Sequence, residues 1–166
     1  MRNSRNAQVT VFFSLQVDEA LAQVDIDEAR LQGAAQVVLD QHARAGSLSI
    51  VIQASGAALN RQHRSVDAPT DVLAFPAASL PEPIAAEAQY FGDIVIGLDY
   101  AAARARKCGS DLGDTVCLLV AHATLHLLGY GHETAAERAI MWAAQAEALR
   151  QLGIDAGIVA RYGGDV

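Results

Sequence analysis

Three of the five histidines in the chain lie close together, in the pattern H-x3-H-x5-H. Residues four apart on an α-helix are separated by about 400° of rotation, so His122 and His126 face the same side and can bind one ion. His132 can join them only if the helix ends after His126 and the chain folds back. Gly129 and Gly131 offer the backbone freedom for this reversal. The spacing therefore predicts a three-histidine metal site with an open fourth position, as in catalytic zinc sites.

A second group of residues suited to phosphate chemistry lies earlier in the chain. Arg61, His63 and Arg64 form the densest cationic cluster of the sequence. A guanidinium beside a metal can bind a phosphodiester and stabilise the charge of its transition state. By spacing alone, such a pair of arginines is more often a solvent-exposed face of a short helix. Asp71 and Asp93 each begin an apolar strand, where they are candidates either to orient a metal-bound imidazole or to stabilise a turn.

Length and an apolar content of 52% indicate one domain over residues 1–166. Together with the predicted metal site, we expect this to be a metal-dependent hydrolase domain. The net charge of −7 argues against broad, non-specific attraction to nucleic acid or to anionic membranes. Only one of the twelve Lys and Arg residues is a lysine, so any phosphate recognition would be local and made by arginine. The chain has no convincing signal peptide and no apolar run long enough to span a bilayer. We therefore expect a cytoplasmic protein.

Hydrophobic periodicity predicts an α+β fold, with one sheet of about four strands packed with about five helices. The metal site lies at the end of a long buried helix in this prediction. The predicted strands span residues 8–17, 47–54, 71–75 and 93–98, and the predicted helices span residues 26–43, 56–62, 100–107, 111–128 and 134–151.

Three further features mark where helices begin and where regular structure is missing. Thr134 and Glu137 have the spacing of a capping box that begins the last of these helices. Residues 77–91 follow Pro76 and contain two further prolines, which predicts a mobile loop. Residues 154–166 show no strong pattern and are predicted to form a tail.

Three motifs in a fixed order relate the chain to a known family. They are Leu59-Asn60…Arg64…Pro69-Thr70-Asp71-Val72-Leu73…Phe75-Pro76, then Gly92-Asp93-Ile94-Val95-Ile96, and then His122…His126-Leu127…Gly129-Tyr130…His132. These motifs resemble those of the YbeY-type zinc endoribonucleases, which are also described as rRNA maturation factors. The resemblance covers the chain from about residue 45 to residue 150.

The resemblance implies that one Zn²⁺ ion binds to His122, His126 and His132, and that these residues act in catalysis together with Arg64. It implies an RNA substrate, a role in maturing the 3′ end of small-subunit rRNA, and a role in ribosome quality control. The ribosome or ribosomal proteins would be its partners, with no membrane partner, and a monomer is favoured. The family usually has Asp just before the third histidine, where this chain has Gly131, so a carboxylate beside the metal is missing.

Two other functions fit parts of the pattern. The spacing H-x3-H-x2-G-x2-H is also that of metzincin peptidases, which need Glu directly after the first histidine as a general base. Ala123 occupies this position, which disfavours a peptidase. A non-catalytic, zinc-containing ribosome assembly factor is favoured modestly by the acidic charge and by the missing carboxylates at positions 123 and 131. For RNA cleavage, the residues leave open whether water activated by zinc or the RNA 2′-hydroxyl attacks the phosphorus.

Overall fold

The computed structural model of the protein describes residues 10–15, 26–54, 71–77 and 90–163. These residues form four strands and five helices, which confirms the predicted α+β class. The strands are β1 (Thr10–Leu15), β2 (Ser47–Gln53), β3 (Val72–Pro76) and β4 (Tyr90–Gly97), and the helices are α1 (Glu28–Gln41), α2 (Leu98–Cys108), α3 (Leu112–Leu127), α4 (Ala135–Gln151) and α5 (Gly157–Gly163).

The four strands form one mixed sheet with the order β1-β2-β4-β3. Strand β1 pairs in parallel with β2, and β2 in parallel with β4, whereas β3 runs antiparallel to β4 at the edge. Every second residue of β2 is fully buried, namely Leu48, Ile50 and Ile52. This alternation follows from the two-residue period of a strand that is covered on one face. In β4, the other inner strand, Ile94, Val95 and Ile96 are all buried, because both of its faces are covered.

Helix α3 lies between the sheet and the other helices and is apolar on almost every side. It contacts β3 and β4 as well as α1, α2 and α4. Its leucines Leu118, Leu119 and Leu125 are at most 2% exposed, and burying each stabilises the fold by about 1.5–3 kcal/mol. Asp111 caps the first turn by accepting from the Asp114 amide at 3.2 Å. The helix that carries the first two histidines is therefore held rigidly by the core.

Helix α4 begins at the predicted capping box. The Thr134 hydroxyl accepts from the Glu137 amide at 3.1 Å, and the Glu137 carboxylate accepts from the Thr134 amide at 2.9 Å. These reciprocal bonds satisfy two amides that have no partner within the helix. Met141, further along α4, is fully buried and belongs to the core.

Two segments differ from the sequence-based predictions. Strand β4 begins at Tyr90 rather than Asp93, because Tyr90 and Gly92 extend the pairing with β2. Gly92 has φ of +139°, and a Cβ atom there would collide with the carbonyl oxygen of Phe75. The predicted tail over 154–166 contains helix α5, whose Ile158 and Val159 are buried in the main core.

Some predictions lie outside the described residues. These are the helix over 56–62, most of the loop over 77–91, and the cluster of Arg61, His63 and Arg64. No helix in the described parts of the chain is both long enough and apolar enough to cross a membrane.

Candidate metal centre

The end of α3 brings the three histidines together. His122 and His126 lie one turn apart with their ring centroids 4.5 Å from each other. Helix α3 ends at Leu127, and Gly129 then adopts a φ of +98° that turns the chain back. The ring of His132 thereby lies 5.3 Å from that of His122 and 4.9 Å from that of His126. One ligand nitrogen from each of the three rings lies within 4.8 Å of the others.

The reversal needs only one of the two glycines to which it was attributed. Gly129 has a positive φ, whereas Gly131 does not. The amide of Tyr130 donates to the carbonyl oxygen of Leu125 at 3.0 Å, which closes the helix end in the manner of a C-terminal cap. The prediction that Gly131 supplies left-handed backbone freedom is therefore wrong.

Hydrogen bonds fix the tautomers of the first two histidines. The Nδ1 atom of His122 lies 2.7 Å from Oε1 of Gln145, and Nδ1 of His126 lies 2.9 Å from the carbonyl oxygen of Tyr130. Because these oxygens can only accept, each Nδ1 carries the proton and each Nε2 presents a lone pair. The two Nε2 atoms are 3.0 Å apart. Two lone pairs at this distance repel each other unless a cation lies between them.

The donor set therefore fits a divalent metal ion. Two nitrogens bound to one tetrahedral zinc at about 2.0–2.1 Å lie about 3.3 Å apart, close to the separation of the two Nε2 atoms. A third imidazole, from His132, completes a set of three nitrogen ligands. Sets of three protein ligands leave a fourth position for water or substrate, which is the arrangement of catalytic rather than structural zinc.

A further hydrogen-bonded layer supports the carbonyl that orients His126. The Tyr130 hydroxyl lies 2.6 Å from Nε2 of His42, and Nδ1 of His42 donates to the carbonyl oxygen of Val38 at 2.7 Å. His42 is the C-cap residue of α1. The loop after α3 is thus attached through the Tyr130 side chain to the end of α1, and this attachment holds the backbone that faces His126.

Gln145 and His42 are residues of the site that the sequence reasoning missed. Gln145 is only 4% exposed, four residues after the buried Met141 on α4, and a lone amide on a buried helix face needs a polar partner. Asp71 and Asp93, which were candidates to orient an imidazole, bond elsewhere. Asp71 accepts from the Tyr162 hydroxyl and Asp93 accepts from the Tyr90 hydroxyl.

Burial keeps the first histidine neutral. It lowers the pKa of His122 to about 4, with smaller lowering by His126 and His132 and an opposing contribution from the hydrogen bond to Gln145. An imidazole must be neutral to bind a metal ion. The side chain is therefore in its metal-binding form at neutral pH before any ion arrives.

The three histidines open into a cavity of about 560 Å³, a volume typical of sites that bind small molecules or parts of larger ones. Leu118 and Leu119 of α3 contribute to its apolar lining, and Trp142 of α4 lies next to the histidines. Its lining also includes the group formed by Asp71, Arg104 and Tyr162, which we call the Asp71–Arg104–Tyr162 cluster.

Comparison with known proteins decides the family. The family model described as Endoribonuclease YbeY matches residues 16–153. The chain belongs to the endoribonuclease YbeY family. It is 36% identical over 137 residues to the endoribonuclease YbeY of Carboxydothermus hydrogenoformans, which covers 80% of this chain and 92% of that protein. It is 38% identical over 128 residues to the endoribonuclease YbeY of Halorhodospira halophila, which covers 75% of this chain and 82% of that protein.

A solved structure agrees with the fold of this YbeY-family chain. The solution structure of a Thermotoga maritima protein superimposes with a TM-score of 0.57 at 22% sequence identity, covering 86% of this chain and 89% of that chain. The resemblance inferred from the three motifs is confirmed. The family model and both relatives are named endoribonucleases. The predicted enzyme class, an endoribonuclease, is therefore confirmed.

Two positions next to the histidines, Ala123 and Gly131, offer no carboxylate that could act as a base at the metal. Ala123 is 1% exposed beside His122, so no carboxylate stands where a metzincin peptidase needs its base. A Cβ atom on Gly131 would lie 3.9–4.0 Å from the carboxylate of Glu137. The hydrogen bonds from Thr134 lower the pKa of Glu137, so this nearby carboxylate is ionised and engaged in capping α4.

Proposed function

We propose that the protein is a zinc-dependent endoribonuclease that matures the 3′ end of small-subunit rRNA and takes part in ribosome quality control. Family membership supports the RNA substrate and the cleavage reaction. The observation that carries the metal dependence is the pair of Nδ1-protonated imidazoles whose Nε2 lone pairs converge at 3.0 Å. With rRNA as substrate, the protein would act in the cytoplasm with the ribosome as its partner.

His122, His126 and His132 would hold the ion. Zinc in such a site acts as a Lewis acid toward a phosphoryl oxygen and lowers the pKa of water that it binds. Gln145 and the carbonyl of Tyr130 keep the rings of His122 and His126 oriented. The apolar floor of the cavity limits the water that competes with substrate and strengthens the electrostatic interactions within the site.

Arg64 is the residue that we propose to stabilise the negative charge of the phosphoryl transition state. Asp71, which is seven residues after Arg64, lies in the cavity wall. An arginine presents its donors in a planar fork that matches two phosphoryl oxygens, which suits this role.

A non-catalytic assembly factor is the second candidate. The net charge of −7 and the carboxylates of Asp71, Glu133 and Glu137 in the cavity lining favour it, because they repel the RNA backbone. Bound zinc and Arg64 would offset these charges locally. Measuring RNA cleavage together with zinc content separates the two candidates.

The experiment compares wild type, His126→Ala and Arg64→Ala, with Arg106→Ala as a matched control because Arg106 is an exposed arginine of α2. We expect the wild type and both arginine variants to bind one zinc ion each and His126→Ala to bind much less. We expect Arg64→Ala alone of the two arginine variants to lose about 100-fold or more in cleavage rate. If zinc-loaded wild type cleaves RNA no faster than Arg64→Ala, the enzyme proposal fails. Cleavage that leaves a 2′,3′-cyclic phosphate would identify the 2′-hydroxyl as the attacking group.

A further inference from the structure

Trp142 lies beside the metal site at the wall of the cavity. Its ring centroid is 5.8 Å from that of His132 and 6.2 Å from that of His122. The interplanar angles are 64° and 69°, so neither imidazole stacks on the indole. The side chain is half-buried, because part of it packs against the core while part of it lines the cavity.

The core packing makes Trp142 a rigid surface. Trp142 is on the same face of α4 as Gln145, three residues later, whose side chain bonds to His122. One helix face thus supplies both the group that orients a histidine and an aromatic ring next to it. A ring held by the core loses little conformational entropy when a flat ligand stacks on it.

The chemistry of an RNA substrate indicates what that flat ligand is. In an RNA strand whose scissile phosphate lies at the histidines, the base on either side is separated from that phosphate by only one sugar. Unpaired bases stack on aromatic side chains, whereas bases in a duplex are already stacked and paired. We propose that Trp142 stacks on an unpaired nucleobase next to the scissile phosphate and thereby positions the RNA at the histidines. This inference rests on the proposed function and assigns a substrate-positioning residue to it.

The first test changes the RNA and leaves the protein intact. KM is measured with zinc-loaded wild type for a short single-stranded RNA and for two abasic versions of it. One version lacks the base on the 5′ side of the cleaved bond, and the other lacks the base on the 3′ side. Stacking contributes about 1–3 kcal/mol per base, so loss of the stacked base should raise KM about 5- to 100-fold. The other abasic version should change KM much less. Equal KM values for all three RNAs overturn the proposal while leaving the proposed function in place.

The second test locates the base on Trp142. The variants Trp142→Phe and Trp142→Leu keep an apolar side chain, but only the first keeps a ring. We expect Trp142→Leu to raise KM for the intact RNA about 5- to 100-fold. In this variant, removing the stacked base from the RNA should change KM little, whereas in Trp142→Phe it should still raise KM almost as much as in wild type. If Trp142→Leu with normal zinc content and melting temperature remains as sensitive to the abasic substitution as wild type, the base is bound elsewhere and the proposal is wrong.

Fluorescence separates failure of this inference from failure of the proposed function. The chain contains a single tryptophan, so emission excited at wavelengths that tyrosine does not absorb reports on Trp142 alone. If wild type cleaves none of the RNAs, the enzyme proposal fails, and titration of the zinc-loaded protein still tests stacking. Stacking is supported if the intact single strand quenches the emission and if one abasic version and the duplex quench it much less. Equal quenching by all of them, or no quenching, contradicts it.

Discussion

Gln145 accepts a hydrogen bond from Nδ1 of His122 at 2.7 Å, across the 23 residues that separate them in the sequence. This bond fixes which nitrogen of the histidine can bind a metal ion. It also attaches α4 to the end of α3. The orientation of the first metal ligand therefore depends on a residue from a different helix, which acts on the site through this hydrogen bond.

Replacing Gln145 should weaken metal binding without removing a ligand. Gln145→Leu leaves the Nδ1 proton of His122 without an acceptor and allows the ring to rotate. Loss of such a partner typically lowers metal affinity about 10- to 100-fold. Gln145→Glu, which keeps an acceptor oxygen, should retain affinity within a few-fold. Zinc affinity is measured by competition with a chromogenic chelator.

The control for this comparison is Gln151→Leu, the same substitution at an exposed position near the end of α4. It should leave zinc affinity unchanged. A Gln145→Leu protein that binds zinc as tightly as Gln151→Leu would show that the hydrogen bond does not orient the metal ligand.

Acid should destabilise the metal-free protein over a defined pH range. Burial lowers the pKa of His122 from its ordinary 6.5 to about 4. The unfolded chain therefore takes up this proton below about 6.5 while the folded protein resists it down to about 4. Stability falls as the pH decreases through this range, by up to about 3 kcal/mol. Urea unfolding of the metal-free protein at several pH values between 7 and 4 measures the effect.

The matched variant is His122→Asn, which cannot titrate in this range. Its unfolding free energy should depend less steeply on pH than that of wild type. Parallel pH dependences for the two proteins would mean that another group is responsible.

The hydrogen bond between Tyr130 and His42 should support both stability and metal binding. Tyr130→Phe removes the hydroxyl that lies 2.6 Å from Nε2 of His42. We expect a loss of about 1 kcal/mol in unfolding free energy and a few-fold weaker zinc affinity, because the carbonyl facing His126 is less firmly held. A double-mutant cycle with His42→Ala should give a coupling energy of about 0.5 kcal/mol or more. Strict additivity of the two substitutions would refute the connection.

Arg104 should stabilise the protein mainly by compensating the partly buried carboxylate of Asp71. The two side chains approach to 3.7 Å, and the Arg104 guanidinium also lies over the ring of Tyr162 at 4.3 Å and donates to its carbonyl oxygen at 2.9 Å. Burial raises the pKa of Asp71, and Arg104 partly opposes this rise. Arg104→Ala should cost about 1–3 kcal/mol. The cost should be smaller when Asp71→Asn is also present, because the uncompensated charge is then gone.

The control for Arg104 is Arg150→Ala, which breaks an exposed ion pair with Glu147. Its effect on unfolding free energy should be below about 1 kcal/mol. If Arg104→Ala is equally mild, or if Asp71→Asn does not reduce its cost, Arg104 does not stabilise the protein by compensating the carboxylate of Asp71.

The parts of the site that are predictable from sequence are those set by local geometry. A helix period of 3.6 residues is enough to place His122 and His126 on one face, and a glycine at position 129 is enough to locate the reversal that returns His132. The capping box of Thr134 and Glu137 is also a local pattern. Each of these depends on residues within about two helical turns of one another.

The features that escaped prediction depend on contacts between distant segments. His42 and Gln145 enter the site only because α1 and α4 pack against α3, which no local period reveals. Helix α5 is a single short element whose Ile158 and Val159 are buried by tertiary packing. Strand β4 begins at Tyr90 because β2 offers hydrogen-bonding partners there, although the apolar run begins later.

The most direct test of zinc-dependent cleavage at the three histidines is a metal titration. Protein stripped by chelation is reloaded with increasing zinc, and the rate of cleavage of an RNA carrying the small-subunit rRNA 3′ end is measured at each step. We predict a rate near background without zinc that rises in proportion to bound metal and reaches a plateau at one ion per chain. Cleavage by the stripped protein at the rate of the fully loaded protein would contradict this account.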